Sequence, residues 1–335
     1  VVFLHEIRGL SARTGYGGAF QALYYALMKL YPGRVISHPF FRLTGKPEID
    51  CDVFFGQPYN RFLDDFERRH CEHKGIFTMY ESERIHPEFI YHIEKYFDFI
   101  IVPTRWCQKV FEQTFPDHPV YLCPLGVNPD IYPMLHRPLD RHPFTFLWQG
   151  FVVNDRKRAD LVLRAFKELD LPNSRLIVKY LPDISKSKIK HILSDSKITM
   201  IGEQFSFPEM LSLWQECDFG VFPSEGEGVG LIPLECMTTG MPVAIANNTG
   251  AADYCDNRYN FPLECKETAD SYFQDGSRFA VPTLEAIKTA MSKAYHERAA
   301  VQRRGKAAGS WIRANHTNRH SAQKFMAVID EVMGS

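Results

Sequence analysis

The chain has 335 residues, 45% hydrophobic and 24% charged, with 39 Lys+Arg against 40 Asp+Glu and a net charge of −1. That length exceeds what one core usually takes, so two domains are expected, and the balanced charge excludes a general nucleic-acid binder or a polybasic membrane protein. No apolar run approaches the roughly 18 residues of a membrane span. The chain opens on strand-like VVFLHEI with no signal peptide, and a few residues can be missing before it. Cys51, Cys71, Cys107, Cys123, Cys217, Cys236, Cys255 and Cys265 are scattered, form no C-x-x-C and sit mostly in apolar stretches. They read as buried free thiols of a reducing cytoplasm rather than as disulfides or zinc ligands.

In chain order, VVFLHEI is a strand, followed by a Gly-rich turn and the helix AFQALYYALMKLY, whose apolar residues recur every three or four positions. VISHPFF, DVFFG, GIFTMY and DFIIVP read as strands, TRWCQKVFEQTF as a helix and VYLCPLG as a strand. The segment VNPDIYPMLHRPLDRHPFT has four prolines and no sustained periodicity, which suits a linker. Alternation then resumes with FTFLWQG (strand), RADLVLRAFKEL (helix), RLIVKYL (strand), KSKIKHILSD (helix), ITMIG (strand), PEMLSLWQEC (helix), FGVFP (strand), a helix near Pro233, and PVAIA (strand). Strands alternating with helices predict parallel sheets, and ligands of such folds bind beyond the carboxyl ends of the strands. The expected domains are 1–138, 139–315 and a C-terminal helix, 316–335, placed back against the first. The stretch from Lys288 to His320 is rich in Lys, Arg and His, either as a solvated helical face or as a surface for an anionic membrane or acceptor.

The most informative stretch is PSEGEGVGLIPLECMTTGMPV, Pro223 to Val243. A strand ends at Pro223, a glycine-rich turn follows, and a helix begins between Leu231 and Pro233, with Gly240 just past its end. Gly228 and Gly230 remove side chains where the backbone enters the helix, so its first N–H groups can approach a phosphate or sugar oxygen. Glu227 and Glu235, with seven residues between them, can accept hydrogen bonds from paired hydroxyls of a sugar or ribose. Acids in a first helical turn also stabilise the helix with no ligand at all.

From LSLWQECDFG through PVAIANNTG the chain resembles the donor segment of the retaining glycosyltransferases of family 4, the group 1 transferases. Their pattern is an acid, a Phe/Tyr-rich strand, P-S, then E-G-F-G-L, a second Glu and G-x-P-V; only the Phe departs, as Val229. WQGFVVNDRKRADLVLRAF is similar to the first strand, basic pair and helix of the donor domain, with Gly150-Phe151 where Gly-Arg is common. GIFTMYESERIHPEF, DFIIVPTRWCQKVF, VYLCPLGVNPDIY and TGYGGAFQALYYAL resemble the acceptor domain.

The resemblance implies an α/β GT-B fold, two Rossmann-like domains with parallel sheets facing a central cleft. It also implies retaining transfer of a hexose-type sugar from a nucleotide-diphospho-sugar (UDP-, GDP- or ADP-linked) to a hydroxyl of a glycan, a lipid-linked glycan or a small molecule, in the cytoplasm or peripherally on its membrane face. In that frame Glu227 and the amides of Gly228, Val229, Gly230 and Leu231 contact donor sugar and phosphate, Glu235 the ribose, and Arg156 and Lys157 the diphosphate, with no metal and no cofactor. Two cations beside a departing diphosphate also make sense directly, because they stabilise charge that develops in the transition state; a solvated helix start is the alternative for DRKR. Gly15, Gly17 and Gly18 lack dinucleotide-fingerprint spacing. By resemblance Gly17 and Gly18 approach the donor phosphates, and by local sequence they make a tight turn. Glu81 positions the acceptor hydroxyl or the transferred sugar, or caps a nearby helix; Arg84 and His86 suit a surface role. Asp50-x-Asp52 stands at a strand start, where solvation explains it better than metal ligation. The rival functions are a non-catalytic nucleotide-sugar-binding module and a GT-B-type sugar-nucleotide epimerase, with a nicotinamide-dependent oxidoreductase more distant.

Overall fold

A computed structural model describes residues 2–6, 15–38, 49–58, 63, 71–151, 155–180, 195–268, 277 and 279–334. The chain divides into two compact units, Val1–Asn128 with Asn315–Ser335, and Pro129–Ala314. The helix expected over KSKIKHILSD and the end of VISHPFF lie outside the described residues.

In the first unit β1 (Val2–Glu6), α1 (Gly15–Leu30), β2 (Val35–His38), β3 (Cys51–Phe55), β4 (His73–Phe77), α2 (Pro87–Tyr96), β5 (Phe99–Val102), α3 (Arg105–Thr114) and β6 (Val120–Leu122) follow one another. The sheet order is β2-β1-β3-β4-β5-β6, parallel throughout. β3 and β5 are buried along their whole length, so FIIV reads as a continuous apolar run rather than an alternating one, as does CDVFF apart from Asp52. Thr104 caps α3 by accepting from the Cys107 amide at 3.2 Å. The closing helix, Asn318–Gly334, completes this unit. It packs on α1, stacks Phe325 on Phe77 at 6.4 Å, and joins Asp330 to Arg34 at 2.6 Å. Its start is stitched to the end of the sheet: Val127 donates to the His316 carbonyl at 3.0 Å and Gly126 to the Ser321 hydroxyl at 2.8 Å.

In the second unit β7 (Phe144–Gly150), α4 (Ala159–Leu169), β8 (Ser174–Tyr180), β9 (Ile198–Ile201), α5 (Phe207–Gln215), β10 (Phe219–Phe222), α6 (Leu231–Thr238), β11 (Val243–Ala246) and β12 (Phe261–Leu263) build a parallel sheet of order β12-β11-β10-β7-β8-β9. An antiparallel pair, β13 (Cys265–Thr268) and β14 (Phe279–Pro282), precedes α7 (Leu284–His296) and α8 (Arg298–Asn315). Phe144, Phe146 and Trp148 alternate along β7 onto one face, where Val162 and Phe166 of α4 and Ile287 and Met291 of α7 cover them. From its edge this sheet runs 3-2-1-4-5-6, which places its topological switch point between β7 and β10.

The proline-rich segment is not a free linker, and the first unit ends at Asn128 rather than at 138. Residues 129–138 are strapped to the second unit through Arg137, only 6% exposed. Its guanidinium donates to the carbonyls of Cys217 (2.9 Å), Thr239 (2.9 Å), Trp214 (3.1 Å) and Leu135 (3.3 Å), and to the Thr239 hydroxyl (3.0 Å). Burial pulls its pKa down to about 10, so it stays charged at neutrality.

The basic stretch Lys288–His320 is more than a solvated face. Arg313 donates to the carbonyls of Pro129 (3.0 Å) and Tyr132 (2.6 Å), and Arg298 and Arg304 lie over the rings of Phe144 and Phe261. The small face of α8 sits close to the end of α6: a side chain at Gly305 would meet the Gly240 carbonyl at 2.5 Å. Asp52 is fully buried in β3 rather than solvated, whereas Asp50 is exposed. All eight cysteines are free; Cys71, Cys255 and Cys265 are half-buried and the others buried. Among the described residues no helix is long and apolar enough to cross a membrane.

Arg137→Ala should lower unfolding free energy by about 3 kcal/mol, because it strands several buried carbonyls at once. Denaturant unfolding of the intact chain measures it.

Candidate donor site on the second unit

Chain folding brings two turns together at the carboxyl ends of β7 and β10. After β7 a short 3-10 turn, Asp155–Lys157, carries Arg156 and Lys157. Gly150 makes room for it, since a side chain there would crowd the Trp148 ring at 3.1 Å and the Lys157 stem at 3.4 Å. The Trp148 indole N–H donates to the Lys157 carbonyl at 3.0 Å, fixing the main chain. After β10 the turn Pro223–Gly230 enters α6, with Gly230 left-handed at φ 82° in the cap position.

Arg156, Lys157 and Glu227 form one charged cluster. The Lys157 ammonium meets one carboxylate oxygen of Glu227, and Arg156 lies 3.6 Å from the other. Arg156 also donates to the Gly226 carbonyl. Burial opposes ionisation of Glu227, but the charges of Lys157 and then Arg156 outweigh it and hold the carboxyl below its ordinary pKa. Glu227 is therefore a carboxylate at neutral pH, able to accept hydrogen bonds.

The main chain of this turn is held from β11 outward. Glu227 N–H donates to the Thr249 hydroxyl at 2.9 Å, and Gly250 N–H donates to the Glu227 carbonyl at 2.9 Å. Gly250 has to be glycine: a Cβ would stand 2.1 Å from the Gly228 carbonyl oxygen, a main-chain atom that cannot swing aside. The Asn248 amide donates to the carbonyls of Ser224 (3.1 Å), Glu225 (3.0 Å) and Ala280 (2.6 Å), and the Tyr254 hydroxyl to that of Gly230 (2.7 Å). Gly228, Val229 and Gly230 are buried, and Leu231 is half-buried where α6 begins. The first N–H groups of a helix have no partner within it, which leaves α6 able to receive an anion. Thr249, Gly250 and Tyr254 were invisible as site residues in the sequence; only the N-T-G punctuation after PVAIA hinted at a constrained turn.

Glu235 lies one turn into α6 and is half-buried. Burial pushes its pKa up to about 7, against a smaller opposing pull from the Tyr132 hydroxyl. Tyr132 belongs to the 129–138 strap and stacks on Trp214 at 5.8 Å.

Glu81, Gly17 and Gly18 belong to the first unit. Gly15, Gly17 and Gly18 form the first turn of α1 rather than a loop before it. The hydroxyl of Tyr16, between them, donates to the Met79 carbonyl at 2.8 Å and accepts from the Met79 amide at 3.2 Å, fixing α1 to the segment that leads to Glu81. The cap of α2 is His86, whose ring accepts from the Glu88 amide at 3.3 Å, and not Glu81.

Between about pH 4.5, the ordinary carboxyl value, and about pH 7 the folded chain keeps on Glu235 a proton that the unfolded chain releases. This group thus costs stability as pH rises, in full above pH 7. Glu235→Gln should raise the melting temperature by a few degrees at pH 8 and leave it nearly unchanged at pH 4. Thermal unfolding at the two pH values checks this.

The family model for glycosyl transferases group 1 matches residues 143–289, which hold both turns and Glu235. An uncharacterized glycosyltransferase of Methanocaldococcus jannaschii is 32% identical over 107 residues, 31% of this chain and 29% of that protein's length. Sucrose-phosphate synthase from Thermosynechococcus elongatus superposes with a TM-score of 0.72 over 99% of each chain at 11% identity. Anabaena HepE, solved with UDP and glucose, gives 0.70 over 98% of this chain and 99% of its own at 13% identity. Residues 143–289 thus match the group 1 glycosyl transferases, within a chain whose fold is the GT-B fold of these solved glycosyltransferases.

Proposed function

We propose that the chain is a retaining glycosyltransferase that moves a hexose-type sugar from a nucleotide-diphospho-sugar to a hydroxyl acceptor. One observation carries this reading: two cations, an ionised glutamate and the start of a helix meet at the switch point between β7 and β10. Each suits one part of such a donor. Arg156 and Lys157 neutralise the diphosphate, and the amides from Gly228 to Leu231 receive its oxygens. Glu227 accepts hydrogen bonds from the sugar hydroxyls, and Glu235 from those of the ribose. HepE, similar in fold, was solved with UDP and glucose, which supports this donor class. On the first unit, Gly17 and Gly18 are assigned to donor phosphate and Glu81 to the acceptor hydroxyl or the transferred sugar, both from the family resemblance.

In the reaction the bond between the anomeric carbon and the phosphate oxygen breaks. The acceptor oxygen bonds to the same face, and its proton ends on the departing diphosphate. The protein's contribution is positioning and charge stabilisation rather than a strong base. Lys157 and Arg156 already neutralise Glu227, and negative charge growing on the leaving group draws them to a second anion. In this reading they supply the charge that a metal ion supplies elsewhere, so a chelator leaves turnover unchanged.

Glu227→Ala should lower kcat more than it weakens nucleoside diphosphate binding, because Glu227 contacts the transferred sugar; equal losses would remove that role. Arg156→Ala with Lys157→Ala should weaken nucleoside diphosphate binding at least tenfold, since charge-assisted hydrogen bonds are worth roughly 1.5–3 kcal/mol each. A thermal-shift panel of UDP, GDP, ADP and their sugars, with and without chelator, identifies the base, and unchanged melting throughout would count against a donor site. Product analysis then separates transfer from isomerisation of the nucleotide sugar.

A further inference from the structure

We propose that the Arg158–Glu225 ion pair is a positioning element of the donor site, clamping the turn that carries Arg156 and Lys157 to the turn that carries Glu227. The inference rests on the donor-site reading above and adds two residues that reading does not use.

Arg158 stands at the start of α4 in the left-handed region, with φ 50° and ψ 46°, and its side chain makes no helix cap. That conformation favours glycine, and an arginine there is strained. Its side chain shows what holds it. Nε and one terminal nitrogen grip both carboxylate oxygens of Asp160, at 3.0 and 2.9 Å, and the other terminal nitrogen donates to Glu225 at 2.9 Å. All three contacts are directional, so the guanidinium has one orientation.

Glu225 is 2% exposed. A buried carboxylate needs a cation or several donors, and Arg158 supplies the charge. The same residue is tied through its main chain, since its N–H donates to the Arg156 carbonyl at 2.8 Å. The two turns are therefore joined twice, once by backbone and once by charge.

The spacing makes this a clamp on the cations rather than a remote brace. Three consecutive residues are each fastened across the site: Arg156 by its carbonyl to Glu225, Lys157 by its carbonyl to Trp148, and Arg158 by its side chain to Glu225. What projects from this fastened strip is the pair of cations, and they meet Glu227, two residues beyond Glu225. Reaching a diphosphate in a fixed geometry depends on the strip not turning, and the Arg158 fork opposes that rotation.

The test titrates UDP, GDP and ADP calorimetrically into the intact chain and follows the tightest binder. Arg158→Gly relieves the backbone strain while deleting the fork. Combined with Glu225→Gln it leaves no unpaired buried charge, which favours folding of the double variant. We expect it to bind at least tenfold more weakly. Adding Arg156→Ala and Lys157→Ala in that background should cost much less than in the parent, because the clamp acts through those cations. A purely structural pair would not produce that non-additivity. Parent-like affinity, or losses that simply add, overturns the proposal. Should the double variant fail to fold, Arg158→Lys decides: it keeps the charge but loses the fork, and unchanged affinity overturns the clamp whereas a several-fold loss supports it. If Arg156→Ala with Lys157→Ala does not weaken binding in the parent, the donor-site reading fails first and the clamp falls with it. That result is distinct from a parent that needs its cations but not its clamp.

Discussion

The turn from Ser224 to Gly230 does not shape itself; the chain around Asn248 shapes it. A glycine-rich turn has few side chains of its own to fix its backbone. Here the Asn248 amide, the Thr249 hydroxyl, the Gly250 N–H and the Tyr254 hydroxyl take up polar groups of the turn one after another. The contact works only because Gly250 lets two backbones touch. Thr249 holds φ 44°, an uncommon value for a β-branched residue, and the bond from Glu227 N–H is what it gains there. The candidate site thus depends on an arrangement made by a segment outside the charged cluster itself.

Charge is paired in two groups around that scaffold. Glu225, the most buried of these side chains, is paired with Arg158, and Glu227 with Arg156 and Lys157. The trio of Glu227, Arg156 and Lys157 carries one positive charge more than it neutralises, which suits an anionic ligand. Burial opposes ionisation of both Glu227 and Glu235; only Glu227 has cations close enough to reverse that, so two similar side chains in one motif shift in opposite directions.

Much of the architecture was legible because it rests on local pattern. FIIV, FGVF and VAIA are continuous apolar runs and became fully buried parallel strands. Gly230 and Gly240 marked the two ends of α6, and both have positive φ. The Glu227, Arg156 and Lys157 cluster was recognisable from the family pattern, and the second unit brings those three together. What stayed hidden depends on reach across the fold. Nothing near Arg137 shows that its guanidinium will gather carbonyls from two other segments, so prolines that make a strap looked like prolines of a linker. The packing of α8, read only as part of a basic helical stretch, was hidden for another reason: it packs by closeness at Gly305, Ala308 and Gly309, and small residues leave a faint periodic signal. The pairing of Arg158 with Glu225 likewise leaves no local signal, because the two lie 67 positions apart.

The place of the closing helix has a consequence for how the chain is made. The first unit consists of residues 1–128 and 315–335, so the whole second unit is inserted within it. During synthesis, β1 to β6 leave the ribosome long before the helix that covers Phe77 and pairs Arg34. At about 5–20 residues per second the intervening segment takes on the order of ten seconds or more to emerge. Throughout that interval α1 lacks its helical neighbour and the ring of Phe77 its stacking partner. The nascent first unit therefore spends its youth with an apolar surface uncovered, while the second unit is free to fold as soon as α8 appears. Folding order is reversed relative to chain order: the unit that starts first finishes last.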